Sequence, residues 1–202
     1  MCTSYYIGGS PEFASLIKEI RASSLTAVTE NRLGKHLCEE EDVFPGSVAP
    51  VIARNKNGDR KAFAMRFGFE LNGAKKRTVL NARLETAAEK PLFADAWKNR
   101  RCVIPATYYY EWEHPSGAKA IRYAIRPSTS DIVYLCGLYR VSDGIPEFAV
   151  LTREAEDSIA FIHDRMPVMI PKSCIDAWID PDSAPEEVLK DILTIMEFHP
   201  DE

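Results

Sequence analysis

Four short segments of the chain carry residue types able to act together on a carbonyl group. The second residue is Cys2. Removal of Met1 would expose an α-amine of pKa about 7.7–8 and, on the same residue, a thiol of pKa about 8.5. Each is partly nucleophilic near neutral pH. The amine can attack an aldehyde to give an imine, and the thiolate can then close a five-membered thiazolidine on the imine carbon. Asn81 lies in Val79-Leu80-Asn81-Ala82-Arg83-Leu84-Glu85-Thr86 and offers an amide that can orient a nucleophile or a sugar hydroxyl. Arg83 shares its face if the segment is extended, and can grip a phosphate with two N–H groups. Glu111, between Tyr110 and Trp112, supplies a carboxylate suited to moving protons. His163 stands before Asp164-Arg165 between apolar runs, placed to act as acid or base near neutral pH.

Each segment also has a plainer reading. Met1-Cys2 is then an accident of the start, and Asn81–Thr86 a polar strand end before a helix. Glu111 points to solvent while its aromatic neighbours form core, and His163 is structural. All four must converge for the chemistry to follow.

Positioning them falls to a chain of 202 residues, 46% hydrophobic and 27% charged, enough for one sizeable core and short enough for a single domain over residues 1–202. The net charge of −5 argues against a protein that coats duplex DNA electrostatically, but leaves room for a local basic track. Lys75, Lys76, Arg77, Arg83, Lys90, Lys98, Arg100 and Arg101 form such a cluster, either a phosphate track or a solvated face. No run approaches the roughly 20 apolar residues of a bilayer span, and the start lacks a signal-peptide pattern. A cytoplasmic protein with no membrane partner is expected. The five cysteines are widely spaced without a Cys-x-x-Cys pair, so neither a disulfide framework nor a metal site is expected.

Residues 1–7 read as a strand ending at Gly8-Gly9. Ser10-Pro11 then caps a helix over 11–22, with Phe13, Leu16, Ile17 and Ile20 on one face. A second helix is predicted from near Pro91, a third over 155–163 and a last over about 185–197. Strands are predicted at 51–52, 62–69, 102–104, 107–112, 121–125, 132–138, 147–151 and 166–170. Strands dominate without regular alternation with helices, which favours an α+β fold of mixed or antiparallel sheets.

Taken together, Met1-Cys2, Asn81–Thr86, Arg100–Ala106 running into Tyr110-Glu111-Trp112, and His163–Pro167 resemble the SOS response-associated peptidase (SRAP) family, in the family's order and over most of the chain. Arg66-x-Gly68, Leu151-Thr152 and the Pro45 region are also similar. The resemblance implies a partly open barrel of twisted sheets with peripheral helices, monomeric, with no cofactor. It implies recognition of abasic sites in single-stranded DNA, capture as a thiazolidine through Cys2 after Met1 removal, and nucleoid association when bound. It implies catalytic roles for Cys2, Asn81, Glu111 and His163. DNA contacts would come from Arg83, Arg66, Phe67, Pro45, Lys75, Lys76, Arg77 and Thr152. Self-removal of Met1 and an abasic-site lyase activity belong to the same expectation. A thiol peptidase and a non-catalytic single-strand binding module are the alternatives. Two departures stand out: Thr3-Ser4 replaces the family's Gly-Arg, and Phe67 with Glu70-Leu71-Asn72 replaces an aromatic stacking segment. Lys75-Lys76-Arg77 is expected to compensate.

Overall fold

A computed structural model describes residues 3–71, 77–129 and 131–201. In chain order the elements are β1 (Ser4–Ile7), α1 (Pro11–Arg21), α2 (Ser24–Leu33), β2 (Glu41–Val43), β3 (Val48–Arg54), β4 (Arg60–Phe67), β5 (Phe69–Leu71), β6 (Arg77–Val79) and β7 (Asn81–Arg83). They continue with α3 (Ala94–Asn99), β8 (Arg101–Ala106), β9 (Tyr108–Glu113), β10 (Ile121–Pro127), β11 (Val133–Ser142), β12 (Ile145–Glu154), β13 (Arg165–Pro167), α4 (Ile175–Ile179), α5 (Pro185–Val188) and β14 (Met196–Pro200).

The fold is α+β, and the expected barrel is closed. Strands pair in the order β11-β8-β3-β4-β12, and β12 returns to β11. The closing hairpin turns on Asp143-Gly144, with φ of 50° and 71°. Positive φ at both positions matches the right-handed twist of the flanking strands, and Gly144 takes it without strain. The β4–β12 pairing is parallel, with Phe67 opposite Phe148. Two short strands extend from β12: β7 runs parallel to it and β13 antiparallel.

A second, antiparallel sheet has the order β14-β10-β9-β1-β2. Its inner face carries Tyr5 and Tyr109, both buried, and Tyr5 meets Phe67 edge-on at 5.8 Å. The main hydrophobic core therefore runs through both sheets.

Helix α1 forms as its cap predicts, with Ser10 Oγ accepting from Phe13 N–H at 3.3 Å and Phe13 and Ile20 buried. One predicted helix does not form and another is cut short. Residues 157–162 are consecutive turns, and α5 stops at Val188, followed by a single 3-10 turn. The chain then becomes β14, because the open edge of β10 takes its backbone N–H and C=O groups as a ladder. Helix α2 lies outside the predicted set. Its buried positions include Thr26 and Thr29, so no apolar stripe marks it.

Candidate functional site

Cys2, Met1, Lys75 and Lys76 lie outside the described residues. The chain that follows Cys2 is placed: Ser4 is buried and stands in register with Tyr110, the residue before Glu111. Glu111 is 5% exposed. It faces inward because it alternates with Tyr110 along β9 and shares a side with Tyr109.

Glu111 pairs in register with Tyr123 of β10, and the two side chains share a face. Tyr123 meets Phe161 edge-on, ring centroids 5.9 Å apart, and its hydroxyl donates to Glu113 at 3.0 Å. Phe161 is two residues before His163. The 157–162 turns thus contact the second sheet through Phe161, on Tyr123 of β10 and Phe198 of β14.

His163 Nδ1 lies 2.9 Å from the Arg165 amide and 2.7 Å from Asp164 Oδ1. When neutral at Nδ1 the ring accepts from the amide; when protonated there it donates to the carboxylate. Either way the turn fixes the ring through Nδ1.

Asn81 opens β7 in register with Val150, held by Val150 N–H donating to the Leu80 carbonyl at 2.9 Å. Two residues on, Arg83 is exposed and stands opposite Thr152. Thr152 is fully buried and also pairs with Pro167 of β13. The strand end of β12 therefore gathers Asn81 and Arg83 on one side and the His163–Pro167 turn on the other. Arg165 closes the group: its guanidinium binds both oxygens of Glu85 at 2.7 and 2.9 Å, and Nη2 donates to the Thr152 carbonyl at 2.6 Å. That ion pair holds the Glu85 carboxyl below its ordinary range, against an opposing effect of burial.

The residues expected on the nucleic-acid surface divide. Arg83, Arg77 and Pro45 are exposed. Pro45-Gly46 forms a tight turn, Ser47 N–H donating to the Phe44 carbonyl at 3.0 Å, which leaves Phe44 half exposed beside it. Phe67 is a correction. It is fully buried and stacked on Phe148 at 5.0 Å, so no ring face is open to a base. Thr152 is also fully buried, at the end of β12 opposite Arg83. The Arg66 guanidinium is held by Glu147 and Glu70, and its side chain is 15% exposed.

Phe44, Tyr123, Phe161 and Glu85 neighbour the candidate residues without having been singled out from the sequence, whereas Arg165 was expected, with Asp164, to hold the His163 turn. Glu85 and Arg165 each sit inside a motif already marked, which was the available signal. Among the described residues no group of His, Cys, Asp and Glu could hold a metal ion, and no helix is long and apolar enough to cross a membrane.

The model of the family described as SOS response associated peptidase (SRAP) matches residues 1–200. The chain is 32% identical to the abasic site processing protein YoaM of Bacillus subtilis over 120 residues, 57% of this chain and 53% of that protein. It is 31% identical to the abasic site processing protein YoqW of the same organism, over 57% of this chain and 54% of that one. The chain thus spans about half the length of the curated relatives it matches. A crystal structure of a protein from Bacteroides thetaiotaomicron superposes with a TM-score of 0.76 at 19% identity, over 100% of this chain and 92% of that one, a likeness of fold.

Proposed function

The chain belongs to the SOS response associated peptidase (SRAP) family, and on that premise we propose that it captures abasic sites in single-stranded DNA as a thiazolidine through Cys2. Hydrolysis of the Met1–Cys2 bond consumes one water and frees the α-amine. That amine adds to the C1′ aldehyde of the ring-opened deoxyribose, and loss of water gives an imine. The Cys2 thiolate adds to the imine carbon, the nitrogen takes a proton, and the ring closes. The DNA strand stays intact because the carbonyl that would drive β-elimination is masked. The imine before ring closure is the point from which a lyase reaction would branch.

The observation that carries this reading is the register of Ser4 with Tyr110, beside buried Glu111. Two residues of extended chain span at most about 7 Å, which bounds how far residue 2 lies from Ser4. Glu111 serves to move protons through imine formation and ring closure, and His163 acts as acid or base from the turn after Phe161, which contacts Tyr123. Asn81 orients the amine or a sugar hydroxyl, and exposed Arg83 and Arg77 supply phosphate contacts. The relatives named for abasic site processing support the substrate class.

The test is an adduct assay. Incubation with single-stranded DNA bearing one abasic site should give a heat-stable, shifted band and an intact mass lacking methionine. Absence of the band with wild type, or an equal band with Cys2→Ala, would falsify the reading. Salt-sensitive binding indifferent to the lesion would instead identify a plain single-strand binding module.

A further inference from the structure

We propose that Glu85 is a positioning residue for the crosslinking reaction: by gripping Arg165 it locks the segment bearing Asn81 to the turn bearing His163. The inference rests on the proposed function, and adds a residue that touches neither DNA nor the reacting atoms in that role.

The need for a lock follows from the topology. Strand β7 is three residues long, Asn81–Arg83, and among the described residues its ladder runs to β12. Strand β13 is also three residues long and pairs with β12. Asn81 and His163 are therefore carried by two short segments beside one strand, with no ladder between them among the described residues. Each ladder is anchored by buried residues, Ala82 in one and Met166 in the other, so what the topology leaves to side chains is the link between the two segments.

The Glu85–Arg165 pair bridges the two segments directly. Glu85 sits in the single turn after β7, four residues beyond Asn81. Both its oxygens accept from Arg165, at 2.7 and 2.9 Å, a fork that fixes orientation as well as distance. The same guanidinium donates to the Thr152 carbonyl at 2.6 Å, anchoring the bridge on the shared strand. The Arg165 backbone N–H meets His163 Nδ1 at 2.9 Å. One residue thus reaches Glu85 through its side chain and the imidazole through its main chain. The Arg165 side chain is 15% exposed and that of Glu85 48%, so solvent reaches one side of the pair and its weight lies in the orientation that the fork fixes rather than in stability.

Positioning of this kind should appear in the rate at saturating DNA rather than in DNA affinity, because Arg83 and Arg77 supply the phosphate contacts. The measurement is single-turnover adduct formation by the full, Met1-processed chain on an abasic single-stranded oligonucleotide over a range of concentrations. Glu85→Gln keeps the shape but removes the charge. It should slow the saturating rate about tenfold, as misplacement of a reacting group does, and move the half-saturating concentration by less than about twofold. Glu85→Asp, which keeps the carboxylate, should recover most of the lost rate; it also carries the test if Glu85→Gln unfolds. Wild-type rates in Glu85→Gln at saturating DNA, or a loss confined to the half-saturating concentration, would overturn the proposal while leaving the Cys2 reading in place. Absence of a Cys2-dependent adduct with wild type would overturn both.

Discussion

Arg140 donates from Nε to Oε2 of Glu147 across 2.8 Å, and Glu147 is wholly buried. Arg66 holds the other oxygen from the neighbouring strand. The Glu70 backbone N–H reaches Oε2 at 3.2 Å, and Arg140 donates to the Glu70 carbonyl at 2.6 Å. One carboxylate therefore ties β4, β5 and β11 to β12. Without that buried anion each guanidinium loses one charged partner, leaving Arg66 with the Glu70 carboxylate and Arg140 with the Glu70 carbonyl.

Glu147→Ala should accordingly lose about 3–5 kcal/mol, the usual cost of stranding buried charge. Urea or guanidinium unfolding measures it. A loss below about 1 kcal/mol would mean that water reaches the two arginines and screens them.

Phe67→Ala makes a sharper distinction. Its ring fills the interface between the barrel and the second sheet, against Phe148 and Tyr5. Truncation should lose about 3–5 kcal/mol through cavity formation. The adduct rate per folded molecule, and its dependence on DNA concentration, should stay as in wild type. A weakened half-saturation in a still-folded variant would return this ring to the DNA surface.

Phe67 also illustrates how far the sequence could be read. Strand, motif and cap signals are local, and they located β1, α1 and the four chemical segments. Whether the aromatic residue of Arg66-Phe67-Gly68 faces solvent or core depends on β12 arriving beside β4, 81 positions later at Glu147, which no local pattern encodes. Residues 185–197 show the same limit from the other side. Val188, Leu189, Ile192 and Ile195 have helical spacing, yet the helical turns end at Asp191 and from Met196 the edge of β10 takes the chain as a strand. Helix α2 had cap signals in Ser23 and Gly34, but buries threonines where periodicity looks for apolar residues. At the site, Asn81, Glu111 and His163 were legible as residue types. The Glu85–Arg165 bridge was not, because its partners are 80 residues apart.

Gly137 should tolerate no side chain. A Cβ there would lie 2.4 Å from Ile104 Cδ1 and 2.9 Å from the Ala149 carbonyl oxygen. The Ile104 tip can shift, but the carbonyl belongs to the β12 ladder that closes the barrel. Gly137→Ala should lose about 1–3 kcal/mol, the usual cost of overpacking. Thermal or denaturant unfolding checks it; an unchanged midpoint would show that the β11–β12 pairing has slack.

The thiols offer a chemical readout of burial. Cys38 is pushed up to about 11, chiefly by burial, and burial likewise raises Cys102 and Cys136. Thiolate is the reactive form, so none of the three should be alkylated at about pH 7.5 in the native protein. All should react in guanidinium, where access and ordinary ionisation return. Peptide mass spectrometry after iodoacetamide makes the comparison. Rapid native labelling of Cys102 or Cys136 would contradict the closed barrel.

Glu85 gives a pH dependence with a defined sign. Its hydrogen bonds to Arg165 lower its pKa in the folded chain from an unperturbed 4.5. A depressed folded value means that the native state favours the carboxylate. The stabilisation is then fully present above about pH 4.5 and disappears as pH falls through the folded pKa. Glu85 is nearly half exposed, so solvent keeps the contribution small. The difference in unfolding free energy between wild type and Glu85→Gln should be level near neutrality and shrink below about pH 4.5. Urea titrations of both proteins at a series of pH values measure it directly. A difference that widened on acidification would have the wrong sign for a carboxylate held by Arg165, and the bridge between the Asn81 and His163 segments would have to be assigned to other contacts.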